Sequence, residues 1–408
     1  MSEGGSGGES RGVSFKPVLG FLGATAVSIG GIIGSGIFFI LGLAAGEAGP
    51  AVLISLALSG FIAVLTSLSF ASLGSKIQKE GGEYQFVFLA FGPKIGFLGG
   101  ILWVFSTAIA AVTVSLAFAS YLGALVPPFD TRVTAAVACL GFMLIDTAGL
   151  RLSSNVNNAL VVVKVGVLLL FILLGMQFVR PANFEPFFTK GTDGILSATF
   201  LIFFAYAGFG KITAASEEVK DAYRNVPRAI ITAVVVCTAL YLLTGLVAVG
   251  VVGSDTLSSA EFSGAPLAHV MLSTGFSYAF SVVAVGAVAA TASVLLIQML
   301  GLSRTIYAMS ANNQLPKFLS ELHPRFKTPY RAEVMIGVAM AMAALFVDAK
   351  SVVALTSLGI LSYYALINLA SIRMRSQKGA FRVHPAVSVL GFAASAALVA
   401  YYLVTLFV

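Results

Sequence analysis

Charge is scarce in this chain: Asp, Glu, Lys and Arg make up 10% of its 408 residues, against 58% hydrophobic residues. That shortage excludes a water-soluble domain, because too few polar side chains exist to cover an aqueous surface. Cysteine is nearly absent as well. Cys139 and Cys237 both fall inside apolar runs, where a thiol behaves as a small hydrophobe, so neither a disulfide framework nor a thiolate metal site is indicated. Histidine is equally sparse. His269, His323 and His384 have no ligand spacing, and no HExxH, P-loop or nucleophile-elbow pattern occurs, so the expectation is a non-enzyme that holds no metal and no cofactor. The net charge of +7 does not point to nucleic acid either, since the basic residues lie in short loops between apolar runs.

What the sequence does have is apolar length. Runs of about 20 residues, the span of a bilayer core, recur along the whole chain. Bounded by charged or Pro/Gly-rich segments, they give eleven candidate spans, starting near Val18, Ala48, Gly96, Thr131, Asn155, Gly194, Arg228, Phe276, Ala332, Ser351 and Pro385. The fold class expected is therefore an all-α integral membrane protein with the lipid bilayer as its solvent. Residues 1–14, rich in Gly, Ser and Glu, read as a disordered cytoplasmic tail rather than a signal peptide, and residues 15–408 as one transmembrane domain. Charge sets the orientation. Of 24 Lys and Arg, only Arg132, Arg180, Lys190 and Lys350 fall on the side opposite the N-terminus, apart from Lys164 and Lys211 within spans. Cytoplasmic loops hold the excess of basic residues, so a multi-pass protein of the cell membrane with a cytoplasmic N-terminus is expected.

Two spans carry helix breakers at mid-membrane depth. The first contains SIGGIIGSGIFF, with Gly30, Gly31, Gly34, Ser35 and Gly36; the sixth contains FFAYAGFGK, from Phe203 to Lys211. They hold corresponding places in two five-span halves, residues 15–180 and 194–374, with 385–408 as an extra span. Matching Gly-interrupted segments in two halves point to an inverted-repeat transporter with its ligand site at the midplane. Glycines that only let helices approach closely, Gly30 with Gly34 and Gly208 with Ala205 or Ala207, are the plainer explanation. Non-helical backbone inside a membrane, however, has to line a protein-buried or wet cavity.

A broken helix offers chemistry at both cut ends. Free amides and a positive dipole end at Gly34, Ser35 and Gly36 suit a carboxylate, while the free carbonyls of Ile32 and of Phe204 or Ala205 suit an ammonium group. An α-amino acid carries both groups on one carbon. Phe204, Tyr206 and Phe209 are placed either to cover such a ligand or simply to pack. The candidate substrate site is thus Ile32, Gly34, Ser35, Gly36, Phe204, Ala205, Tyr206, Ala207 and Gly208. Lys164 lies nine residues into the fifth span, about 14 Å deep at 1.5 Å per residue, beyond easy snorkelling. Burial there disfavours the charged ammonium. Three roles remain open: a fixed cation replacing sodium, a carrier coupling uptake to protons, or a structural bond to carbonyls. Thr291 and Ser293 are its expected hydroxyl neighbours. Lys211 is expected to turn toward the cytoplasm and Glu217, Asp146 to sit near Arg151 at the interface, and Glu47 to lie at the outer mouth. Residues 310–331 read as a short helix on the membrane surface.

GGIIGSGIF in the first span, GGEYQF after the second, FAYAGFG with ASEEVKDAYRNVPRAI around the sixth, and RTIYAMSANNQLPKFL after the eighth resemble the amino acid-polyamine-organocation superfamily of permeases. The resemblance runs from about Phe15 to Ile372; the family often has twelve spans, and eleven are read here. It implies the leucine-transporter-like five-plus-five inverted repeat, alternating access, and an amino acid held at broken helices 1 and 6. By motif match the ligand carboxylate meets Ser35 and Gly36, and its amino group meets the carbonyls of Ile32 and of Phe204 or Ala205. Lys164, in ALVVVKVGVLLLF, matches the fifth-span lysine of sodium-independent members, whose amine takes the place of a sodium ion. Proton symport of amino acids is the leading expectation, with exchange and polyamine transport as alternatives; a channel or an amino-acid receptor would be a different class.

Overall fold

The computed structural model describes residues 19–77, 82–126, 130–149, 154–347, 349–377 and 379–406. The expected tail 1–14, the first span's start near Val18, and the cations Arg11, Lys16, Lys79, Arg151 and Lys378 lie outside them. The described chain is helical almost throughout: α1 (Phe21–Ile32), α2 (Leu41–Ala48), α3 (Val52–Gly74), α4 (Gly82–Phe91), α5 (Pro93–Leu125), α6 (Thr131–Thr147), α7 (Ser154–Gly175), α8 (Gly191–Ile202), α9 (Ala222–Val252), α10 (Ser254–Leu257), α11 (Pro266–Leu272), α12 (Ser277–Ala311), α13 (Tyr330–Phe346), α14 (Ala349–Arg373) and α15 (Pro385–Thr405). It is an all-α membrane protein. Among the described residues, eight segments are long and apolar enough to cross a bilayer. The difference from eleven has a simple source. The first of these segments, Phe21–Gly74, joins two of the expected spans, and α6 and α13, at 17 residues each, fall just short in length.

Local chemistry sets the helix ends. Pro93 and Pro385 open α5 and α15 at positions where a missing N–H costs nothing. Asp130 caps α6 by accepting from the Val133 amide at 2.9 Å. Large apolar side chains face outward along the spans, among them Leu22, Leu98, Leu173 and Phe346, as a lipid-facing surface requires. Lipid offers no hydrophobic drive between helices, so small residues and hydroxyls hold them together. Ser55 and Ser59 of α3 donate to the Ile195 and Thr199 carbonyls of α8 at 2.9 and 2.8 Å. Near one end of α3, Ser69 donates to Asn368 Oδ1 of α14 at 2.7 Å and lies 2.9 Å from Ser388 Oγ of α15, joining three helices.

The segment 310–331 departs from the expected surface helix. Between the end of α12 and the start of α13 its regular structure is one 3₁₀ turn, Lys317–Ser320, followed by turns. Pro316, Pro324 and Pro329 explain this, because each removes a donor and disfavours the α conformation of the residue before it. Arg331 instead folds back to pair with Glu321 at 2.9 Å. At the end of α2, Glu47 pairs with Lys350 of α14 at 2.6 Å, which joins two charges that the sequence assigns to the same outer side.

Candidate functional site

The first break follows directly from the residues. The last α-helical hydrogen bond of α1 runs from the Ile33 amide to the Ile29 carbonyl at 2.8 Å, and Ile33 is extended with ψ 102°. Two consecutive β-branched residues lead into Gly-Ser-Gly, which favours neither helix nor strand. The chain resumes as a π-turn, Gly36–Ile40, before α2. The second break follows α8. A 3₁₀ turn, Phe203–Tyr206, ends at Ala207, which is extended at ψ 138°; Gly208 then takes φ 107°, and a further 3₁₀ segment, Phe209–Glu218, follows. Gly208 is required there, since a Cβ is strained at positive φ.

The two breaks face each other. A Cβ on Gly31 would come within 2.7 Å of the Gly208 carbonyl oxygen, and one on Gly36 would collide with Ala205. The glycines therefore permit both the unwinding and the close approach that the sequence offered as alternatives. Gly34 lies against Val294 of α12, where a Cβ would meet Cγ2 at 2.8 Å.

Lys164, from α7, is completely buried and donates to the carbonyls of Gly30 at 2.9 Å and Ile33 at 3.0 Å. These are carbonyls that unwinding leaves without their usual helical amide partners. An ammonium carries three donors, and two of them satisfy the broken end of α1. The expected hydroxyl neighbours do not take part. Thr291 donates to Ala287 and Val288 carbonyls at 2.7 and 3.0 Å, and Ser293 to Ala290 at 2.9 Å, each within its own helix. A hydroxyl in an apolar helix finds its preceding turn more readily than a distant amine.

The expected ammonium acceptors are already engaged. Tyr241 of α9 places its hydroxyl 3.1 Å from both the Ile32 carbonyl and the Ala205 carbonyl, bridging the two breaks. The Phe204 carbonyl accepts from the Ala207 amide at 3.0 Å. On the carboxylate side, Ser35 Oγ is buried without a protein partner. Tyr206 packs edge-on against Tyr241, with ring centroids 5.3 Å apart, and Phe209 packs against Phe70 and Tyr364, each at 5.1 Å. The aromatic residues of the sixth span thus pack against α3, α9 and α14.

The family model for amino acid permeases matches residues 19–408. The chain belongs to the amino acid permease family. This permease is 32% identical to the branched-chain amino acid permease BcaP of Bacillus subtilis, over 90% of this chain and 82% of that one. It is 31% identical to the methylthioribose transporter of the same organism, over 92% and 86%, and 30% identical to mouse cationic amino acid transporter 4, over 90% and 61%. It is a multi-pass membrane permease whose relatives include amino acid transporters.

Sequence reasoning missed two participants in the permease core. Tyr241 sits in an apolar run, and its only signal was a phenol at mid-span, which needs a hydrogen-bond partner. Glu83 belongs to α4, a ten-residue helix too short to cross a bilayer, yet its carboxylate is buried, and Oε1 would lie 2.5 Å from a Cβ on Gly210. Burial pushes the Glu83 carboxyl up to about 7, with the charge of Lys211 pulling it back. Lys211, expected to turn toward Glu217, lies instead among buried neighbours that the sequence did not suggest. Its stem lies near Gly31, its Nζ would be 3.7 Å from a Cβ on Gly301 of α12, and Glu83 attracts it. The Glu217 side chain and Arg151, the expected partners of Lys211 and Asp146, lie outside the described residues.

Proposed function

We propose that this permease is a secondary active amino-acid transporter of the cell membrane, with a cytoplasmic N-terminus, built from inverted repeats 15–180 and 194–374 and working by alternating access. The ligand carboxylate meets the amides at Gly34, Ser35 and Gly36 and the Ser35 hydroxyl. Its amino group takes the Ile32 and Ala205 carbonyls in place of the Tyr241 hydroxyl. Tyr206, Ala207 and Gly208 form the opposing wall. One observation carries the reading: two broken helices meet backbone to backbone, and a buried ammonium spans the carbonyls freed by the first break.

Lys164 stands where a bound cation would otherwise satisfy those carbonyls. A lysine holds or releases one proton, so its cycle couples ligand movement to the proton gradient without sodium. In proteoliposomes, Lys164→Ala is expected to fold but to lose uptake driven by an inward proton gradient. Gradient-driven uptake equal to the parent's rejects the coupling role. Ligand identity is read from thermal stabilisation by common amino acids, polyamines and methylthioribose, since a ligand that binds the folded state raises its apparent stability. The last probe is included because a relative of equal similarity is named for it.

A further inference from the structure

Away from the broken helices, a cavity of about 270 Å³ opens where α3 ends and α15 begins, lined by Lys76, Arg375, Arg382 and the serines 72, 371 and 376. The three cations come from different segments: the turn after α3, the chain just past α14, and the residues leading into α15. No described lining residue is a carboxylate, and no described ion pair involves any of the three. Lys76 uses one of its donors on the Met374 carbonyl, at 3.1 Å. Burial and then the charge of Arg382 hold the Lys76 amine below its ordinary range, as expected where positive charges crowd without compensation.

The cavity is built rather than incidental. Ser75 Oγ donates to the Phe381 carbonyl at 3.0 Å, and a Cβ on Gly379 would lie 2.7 Å from Lys76 Cγ, so residues 379–381 are seated closely on the end of α3. Ser371, on the floor, is buried and accepts from Ser388 at 3.2 Å, which connects it to the Ser69 and Asn368 bonds that clamp α3, α14 and α15. Pro385 starts a 21-residue helix at the rim, whose N-terminal dipole adds to the same field.

We propose that this cleft binds a phosphate group, that of an anionic phospholipid headgroup, between Lys76, Arg375 and Arg382, with the serine hydroxyls as further donors. Guanidinium and ammonium donors converging from several directions suit a tetrahedral oxyanion better than a planar carboxylate. The surroundings favour lipid as the source. α15 has the smallest buried share of the eight spanning segments, and one turn past Pro385 its Val389 and Leu390 are half exposed, giving acyl chains an apolar wall directly beside the cations. Basic pockets between spans at a membrane face bind headgroups in this way. The inference does not depend on the transport reading.

The test uses the full chain purified in neutral detergent. Phosphatidylglycerol, phosphatidylcholine and inorganic phosphate at matched ionic strength are compared for thermal stabilisation and, for the lipids, for retention in native mass spectra. Phosphatidylglycerol is expected to stabilise the parent by several degrees more than phosphatidylcholine. Lys76→Gln with Arg382→Gln, and Arg382→Gln alone at an exposed side chain, are expected to lose most of that difference. Lys76→Arg and the paired control Arg325→Gln with Lys327→Gln are expected to keep it. A variant-sensitive response to inorganic phosphate supports the same chemistry and makes the free anion the source. Absence of any preference in the parent, or an equal preference in the Gln variants, overturns the proposal.

Discussion

Tyr241 has one hydroxyl proton and two carbonyls within 3.1 Å, so at any moment it donates to one and leaves the other to a weaker contact. In the proposed binding mode, that makes it an easily displaced partner for the two carbonyls that would receive the ligand's ammonium group. Tyr241→Phe removes the bridge without changing the ring that packs on Tyr206. Its cost in stability is expected to be about 1–3 kcal/mol, the range for a buried acceptor losing its donor. If the hydroxyl merely holds the resting state together, thermal stability falls and KM for uptake drops. If it also helps to bind ligand, KM rises, and uptake assays over a range of ligand concentration separate the two outcomes. Lys164 was legible from its depth alone, because an ammonium in an apolar run has few explanations. Tyr241 and Glu83 were not, because their importance comes from partners on other elements that no local pattern names.

The broken segments were legible as elements for a related reason. Breakers inside an apolar span conflict with the need of membrane backbone to satisfy itself, and such conflicts mark places where something other than a helix is wanted. The same logic failed for 310–331, where amphipathic composition outweighed three prolines in the reading but not in the structure. Gly31 and Gly208 now separate local strain from plain flexibility. Gly208→Ala combines a positive φ with a backbone collision, and Gly31→Ala the collision alone, so each is expected to destabilise by about 1–3 kcal/mol. Gly141 of α6 has no atom within 4 Å of its added Cβ, and Gly141→Ala is expected to be neutral or stabilising by up to about 1 kcal/mol. Melting curves of the three variants in one detergent test the ranking. A Gly208→Ala protein as stable as Gly141→Ala would mean that the crossing is not tight.

At the scale of the whole molecule, the asymmetry of basic residues implies an orientation that labelling measures directly. Lys190 lies just before α8, and Arg325 lies in the segment leading to α13; the charge pattern assigns them to opposite faces of the membrane. Both native cysteines are buried, so single added thiols report cleanly. In intact cells an impermeant maleimide is expected to label Lys190→Cys and to leave Arg325→Cys unmodified until the cells are opened. The reverse pattern would invert the topology.

Where Gly31 meets Gly208, two peptide strands touch with only hydrogens between them. Such a bearing has no knobs to unseat, so tilting one strand over the other displaces nothing at the centre while the outer reaches travel farthest. On the proposed alternating-access cycle, widening one mouth and narrowing the other would draw on that single axle, and a methyl group placed there would jam both directions alike.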